Sequence, residues 1–104
     1  MFKVAVFSTI LLLLSACSGN NSNSNSPKEI SGYEIFRMQC VACHGQDGKL
    51  GLNGAQDLTQ STFTAEERIE ILSNGKGVMP SFRGILSQDE IKAVVDYTFK
   101  LKEE

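Results

Sequence analysis

The chain has a single histidine, His44, and only three cysteines, Cys17, Cys40 and Cys43, among its 104 residues. It also lacks an excess of charge of either sign. A formal net charge of −2, with no block of like charges, excludes a general nucleic-acid binder, because phosphate recognition needs a clustered Lys/Arg surplus. No apolar run reaches the roughly 18 residues that span a bilayer. There is no internal repeat, and no segment alternates convincingly as a strand, although Lys92–Phe99 is rich in β-prone residues. The length leaves room for one domain.

What is present begins with a signal. Lys3, the apolar stretch Val4–Leu14 and the small residues after it have the layout of a secretory signal peptide, and the stretch is too short for a transmembrane anchor. Its end, Leu14-Ser15-Ala16-Cys17, resembles the bacterial lipoprotein box. That resemblance implies a diacylglycerol on the Cys17 thiol and cleavage after Ala16. The following "SGNNSNSNS" contains no apolar side chain and cannot bury enough surface to order itself. The expected layout is a signal peptide over residues 1–16, lipidated Cys17 and a flexible tether over 17–27, and a folded domain over 28–104. It describes an exported protein of the cell envelope, lipid-anchored to a membrane and facing the periplasm or the extracytoplasmic side. A domain below about 80 residues is usually marginal without a metal, disulfide or cofactor.

Three capping boxes announce helices. Ser26-Pro27-Lys28-Glu29 predicts a helix from Pro27 to about Cys40, with Ile30, Tyr33 and Phe36 along one face. Thr64-Ala65-Glu66-Glu67 predicts a second, with Ile69 and Leu72 apolar and Asn74-Gly75 as its stop. Ser87-Gln88-Asp89-Glu90 predicts a third that ends the chain, carrying Ile91, Val94, Val95 and Leu101. The fold class is therefore all-α, with two glycine-rich loops between helices. Structureless loops of that length are unusual unless something holds them.

Cys40, Cys43 and His44 stand together in "QCVACHGQDGK". Zinc needs about four ligands, usually from two clusters, and no second histidine or spare cysteine pair exists. A dithiol redox motif normally accompanies a βαβ pattern, which is absent. A disulfide would close so short a loop that it stabilises little, and it leaves His44 unexplained. A c-type haem attachment site fits all three residues: two thiols on one turn reach the two vinyl groups on one haem edge, and the imidazole is directed at the iron. His44 fills one axial position. Of the methionines beyond the signal, Met38 lies on the helix leading into the attachment site, on the His44 side. Met79, on the glycine-rich loop before Pro80, is left as the second axial ligand.

With these residues in place the domain resembles the class I cytochromes c, in particular the small single-haem bacterial ones. Cys40, Cys43, His44 and Met79-Pro80 carry the resemblance, and Gly32, Phe36 and Tyr97 look like the family's crossing of its first and last helices. The resemblance implies three to four helices packed around one covalently attached haem c. It also implies an electron carrier that is not an enzyme. Its expected partners are a quinol-oxidising complex or dehydrogenase and a terminal oxidase or reductase. The family commonly has a proline where Gln56 stands, whose carbonyl accepts from the iron-bound histidine; here the Gln56 carbonyl or a neighbour's serves. The propionate partners stay open: Lys49, Lys76 and Arg83 are candidates, but each reads first as a solvated surface charge. The competing expectation is a haem-based sensor or small-ligand binder with Met79 off the iron.

Overall fold

The computed structural model of the protein describes residues 30–103. The signal segment, Cys17, the tether and the Ser26 capping box lie outside them. The described helices are α1 (Gly32–Gln39), α2 (Val41–His44), α3 (Ala65–Asn74) and α4 (Gln88–Lys100), with a 3-10 turn at Leu52–Gly54. Among the described residues there is no strand beyond one isolated pairing of Lys76 with Met79. No helix among them is long and apolar enough to cross a membrane.

The expected boxes at Thr64 and Ser87 cap α3 and α4. Glu67 N–H donates to Thr64 Oγ1 at 3.2 Å and Thr64 N–H to the Glu67 carboxylate at 2.8 Å. The Ser87–Glu90 pair repeats this at 3.1 and 2.8 Å. The start of α1 departs from the expectation. Ser31 is extended, at φ −66° and ψ 151°, so no helix runs through it from Pro27. Ser31 and Glu34 form the capping box instead. Two boxes stand in tandem in the sequence, and local pattern does not rank them. The Ser31 box starts a helix that docks on α4.

That docking is the centre of the fold. α1 crosses α4 at Gly32, where a Cβ would stand 2.1 Å from the Ala93 carbonyl oxygen and 3.2 Å from Tyr97 Cβ. Only a residue without a side chain lets the two backbones come so near. Tyr97 packs beside the crossing, its ring centroid 5.2 Å from that of Phe36 and 5.5 Å from that of Tyr33. The buried core joins Ile35 and Phe36 of α1, Leu72 of α3, Ile91, Val94 and Val95 of α4, and Phe82 and Leu101. Lys92–Phe99 is thus helix. Its β-branched residues fill the core, because burial outweighs their weak intrinsic preference.

Arg68 on α3 is 5% exposed, a burial that its place in a charged helix turn does not announce. Its guanidinium donates to Thr98 Oγ1 at 2.7 Å and to the carbonyls of Ser61 and Phe63, each at 3.3 Å. It lies 4.0 Å over the Phe99 ring. Burial lowers its pKa from the ordinary value, yet an arginine stays charged inside a protein. These bonds and the aromatic face replace the water it gave up, and they tie the loop before α3 to the last turns of α4.

The loop between α2 and α3 is built from local turns. Leu58 N–H reaches the Gly48 carbonyl at 3.0 Å. Asp57 accepts from Thr59, at 2.6 Å from the hydroxyl and 2.9 Å from the backbone N–H. The Thr59 hydroxyl, foremost, holds the Asp57 carboxyl below its usual range. A carboxylate depressed in the folded state contributes stability above its unfolded pKa of about 4 and loses it as pH falls through the folded value.

Two outcomes are expected. Gly32→Ala lowers stability by about 3 kcal/mol, the upper end of overpacking costs, in denaturant unfolding of the haem-loaded protein; an unchanged midpoint would contradict the crossing. Asp57→Ala lowers the melting temperature at neutral pH, and its difference from the parent protein shrinks on acidification below about pH 4.

Candidate functional site

The Cys40-Cys43-His44 motif begins where α1 ends. Cys40 closes α1, its N–H donating to the Phe36 carbonyl at 2.9 Å. It is also the cap of α2, so Val41, Ala42, Cys43 and His44 form a single helical turn. This places both thiols and the imidazole on the short segment that follows the α1–α4 crossing. Cys40 is half-buried and Cys43 exposed, and both are free thiols. Burial pushes the Cys40 thiol up to about 11. A dithiol exchange enzyme needs a lowered thiol pKa, since the thiolate is the nucleophile, and burial moves Cys40 the other way.

His44 is oriented by a backbone group. Its Nδ1 lies 3.0 Å from the Gln56 carbonyl oxygen. The glutamine at the family's usual proline position thus serves through its main chain, which any residue provides. With the Nδ1 hydrogen engaged there, Nε2 is the ring nitrogen left for a metal. The loop between is drawn in by Leu50 N–H donating to the His44 carbonyl at 2.9 Å.

Met79 is half-buried, in a tight turn following α3. Lys76 and Met79 exchange both backbone hydrogen bonds, each at 3.0 Å. Gly75 has φ +77°, and a Cβ there would meet the Met79 carbonyl oxygen at 2.8 Å and Ser81 N at 2.9 Å. Beyond Pro80 the chain is fastened to the end of α3. Ser81 Oγ donates to the Ser73 carbonyl at 2.5 Å, and Phe82 N–H to the Leu72 carbonyl at 2.8 Å. Arg83 donates to Asn74 Oδ1 at 2.7 Å. The thioether is therefore carried on a segment whose backbone is fastened to the end of α3. Met38 is 62% exposed on α1.

Of the three candidate propionate partners, Arg83 is engaged with Asn74, and Lys76 lies with its ammonium 4.7 Å over the Phe63 ring. Lys49 is exposed. Sequence reasoning missed the contacts that fasten the Met79 turn, among them Gly75 against Met79 and Ser81 on Ser73. The one available signal was the glycine after Asn74, read only as a helix stop.

A zinc site does not fit, since no three His, Cys, Asp or Glu residues among those described come together. A c-type haem does fit. The donors are two thiols one turn apart, an imidazole with Nε2 available and a thioether. The two loops that follow His44 and α3 leave Leu50, Leu52, Val78 and Ile85 between 49% and 80% exposed, apolar surface that a flat hydrophobic macrocycle could cover.

The chain matches the family described as Cytochrome C oxidase, cbb3-type, subunit III, over residues 27–97. Cytochrome c6 of Leptolyngbya boryana is 38% identical, covering 64% of this chain and 85% of its own. The cbb3-type cytochrome c oxidase subunit FixP of Bradyrhizobium diazoefficiens is 41% identical over 67% of this chain, which is 26% of its own length. Cytochrome c6C of Synechococcus sp. PCC 7002 superposes with a TM-score of 0.60 at 25% identity, covering 70% of this chain and 96% of its own. The chain thus belongs to this family of mono-haem class I cytochromes c: it is a haem-based electron-transfer protein, not an enzyme, and it carries one covalently bound haem c.

Proposed function

We propose that the protein is a membrane-tethered shuttle for single electrons, with Cys40 and Cys43 as the covalent attachment points of the haem and His44 and Met79 as the axial ligands. In attachment each thiol adds across a vinyl group, the sulfur bonding one carbon and its hydrogen passing to the other. When bound, the haem supplies a one-electron Fe(II)/Fe(III) couple.

The observation that carries the reading is the His44 Nδ1 contact with the Gln56 carbonyl at 3.0 Å. It fixes the tautomer that presents Nε2 and raises the basicity of the ligating nitrogen. Met79 offers a soft, neutral thioether that favours the reduced metal, so the His/Met pair raises the reduction potential. With both positions filled, the protein excludes small ligands and does no bond chemistry. Electrons enter and leave over the surface where the two glycine-rich loops expose apolar side chains.

The rest of the layout belongs to the same reading. Residues 1–16 export the chain, lipidated Cys17 and the tether to residue 27 hold it at a membrane, and residues 28–104 carry the electron outside the cytoplasm. Tethering raises its effective concentration near membrane partners. The partners are redox proteins: a quinol-oxidising complex or dehydrogenase on the donor side and a terminal oxidase or reductase on the acceptor side. The kinship with a cbb3 oxidase subunit supports an oxidase as acceptor.

Met79→Ala is expected to lower the reduction potential and to convert slow, partial binding of carbon monoxide by the reduced protein into rapid, complete binding. Rapid, complete binding by the parent protein would instead favour the sensor reading. Cys17→Ser is expected to move the protein from the membrane fraction to the soluble fraction without altering its optical spectrum; retention in the membrane would contradict the lipid anchor.

A further inference from the structure

The Met79 turn is fastened to α3 on its downstream side by Ser81 and Phe82. On its upstream side the residue paired with Met79 is Lys76, which sits between Gly75 at φ +77° and Gly77 at φ +59°. Two glycines beside one residue give the backbone freedom to swing. The tip offers no packing of its own, since Val78 is 80% exposed. The Lys76 side chain adds a restraint on this side, beside the Gly75 N–H bond to the Ile71 carbonyl at 2.7 Å. An exposed lysine ordinarily extends into water; this one lies with Nζ 4.7 Å from the centroid of the Phe63 ring. Its side chain has no carboxylate partner among the described residues.

The backbone that carries the ring is well tied. Ser61, two residues earlier, is 2% exposed. Its carbonyl accepts from Lys102 Nζ at 2.8 Å and from Arg68 at 3.3 Å, and its hydroxyl accepts from the Phe63 N–H at 3.4 Å. The Phe63 carbonyl takes a further bond from Arg68 Nε at 3.3 Å. Arg68 is in turn bonded to Thr98 in α4. A continuous set of contacts therefore runs from α4 through Arg68 and Phe63 to Lys76, and through the doubly paired backbone to Met79.

We propose that Lys76 is a positioning residue for the Met79 thioether, acting as a latch through its cation–π contact with Phe63. The proposal rests on Met79 being an axial ligand. It assigns Lys76 a role inside the protein rather than at a propionate or a docking surface. Because Lys76 and Met79 share both backbone bonds, releasing the lysine from the ring loosens the segment that carries the sulfur.

The test uses the haem-loaded full chain in the ferric state. Added imidazole displaces the thioether, followed by loss of the ferric haem–thioether absorption, beside a denaturant midpoint for each variant. Lys76→Gln removes the cation and keeps the stem; Phe63→Leu removes the aromatic face and keeps apolar bulk. Each is expected to speed displacement about two- to fivefold, the range of an exposed cation–π contact. The double variant should be no faster than the faster single one, and Lys76→Arg should restore the parent rate. The Lys76→Gln midpoint should stay at the parent value, which separates a latch from a general loss of stability. A parent-like rate for Lys76→Gln, or singles whose effects multiply in the double variant, overturns the latch while leaving Met79 a ligand. If the parent protein lacks the thioether absorption, or Met79→Ala keeps it, the ligand assignment fails and the latch with it.

Discussion

The close crossing of α1 on α4 is the constraint on which the rest of the molecule depends. Gly32 lies against the Ala93 carbonyl, and Phe36 and Tyr97 pack beside the contact. α1 is only two turns long and ends on Cys40, the cap of α2. Fixing α1 on α4 therefore fixes where the attachment turn emerges. The same helix face that buries Ile35 and Phe36 aims the chain into its functional segment, so packing and site share one short piece of sequence. A small core gains most from a device that serves both.

The second half of the site is organised differently. No helix presents Met79; a turn does, and a turn has few interactions of its own. The structure compensates with local contacts: Gly75 tucked against Met79, Ser81 and Phe82 on the end of α3, Arg83 on Asn74, and Lys76 over Phe63. Behind them Arg68, a buried cation without a carboxylate partner among the described residues, joins the loop before α3 to α4. A buried guanidinium is tolerated only where its donors are met. Here that requirement makes it a crosslink between elements that otherwise touch through apolar side chains.

Much of the candidate site was legible in the sequence because the spacing of its residues is local. Cys40, Cys43 and His44 fall on one turn by spacing alone, and with no second histidine they exclude zinc without any coordinates. The Thr64 and Ser87 boxes mark their helices because a cap needs only a hydroxyl and a carboxylate three residues on. The same rule misplaced the start of α1. Ser26-x-x-Glu29 and Ser31-x-x-Glu34 are equivalent as patterns, and the Ser31 box caps the helix that docks on α4. Arg68 was unreadable for a related reason: a lone arginine in an acidic helix turn reads as solvated, and only Thr98, distant in sequence, turns it inward.

The sequence by itself determined the fold class and the candidate donors: an all-helical frame, the thiol pair, the sole imidazole and one thioether on a glycine loop. Covalent attachment and metal ligation depend on residue type at short spacing, which the chain displays directly. Tertiary structure decided how those groups are held. The carbonyl that orients His44 and the aromatic ring beneath Lys76 are contacts between segments apart in sequence, whereas the glycine that admits the Met79 turn stands only four residues before it. Almost any residue supplies a carbonyl, and phenylalanine or lysine occurs in many contexts. Residue type therefore says nothing about which will meet; only the packing of α1 and α3 on α4 does.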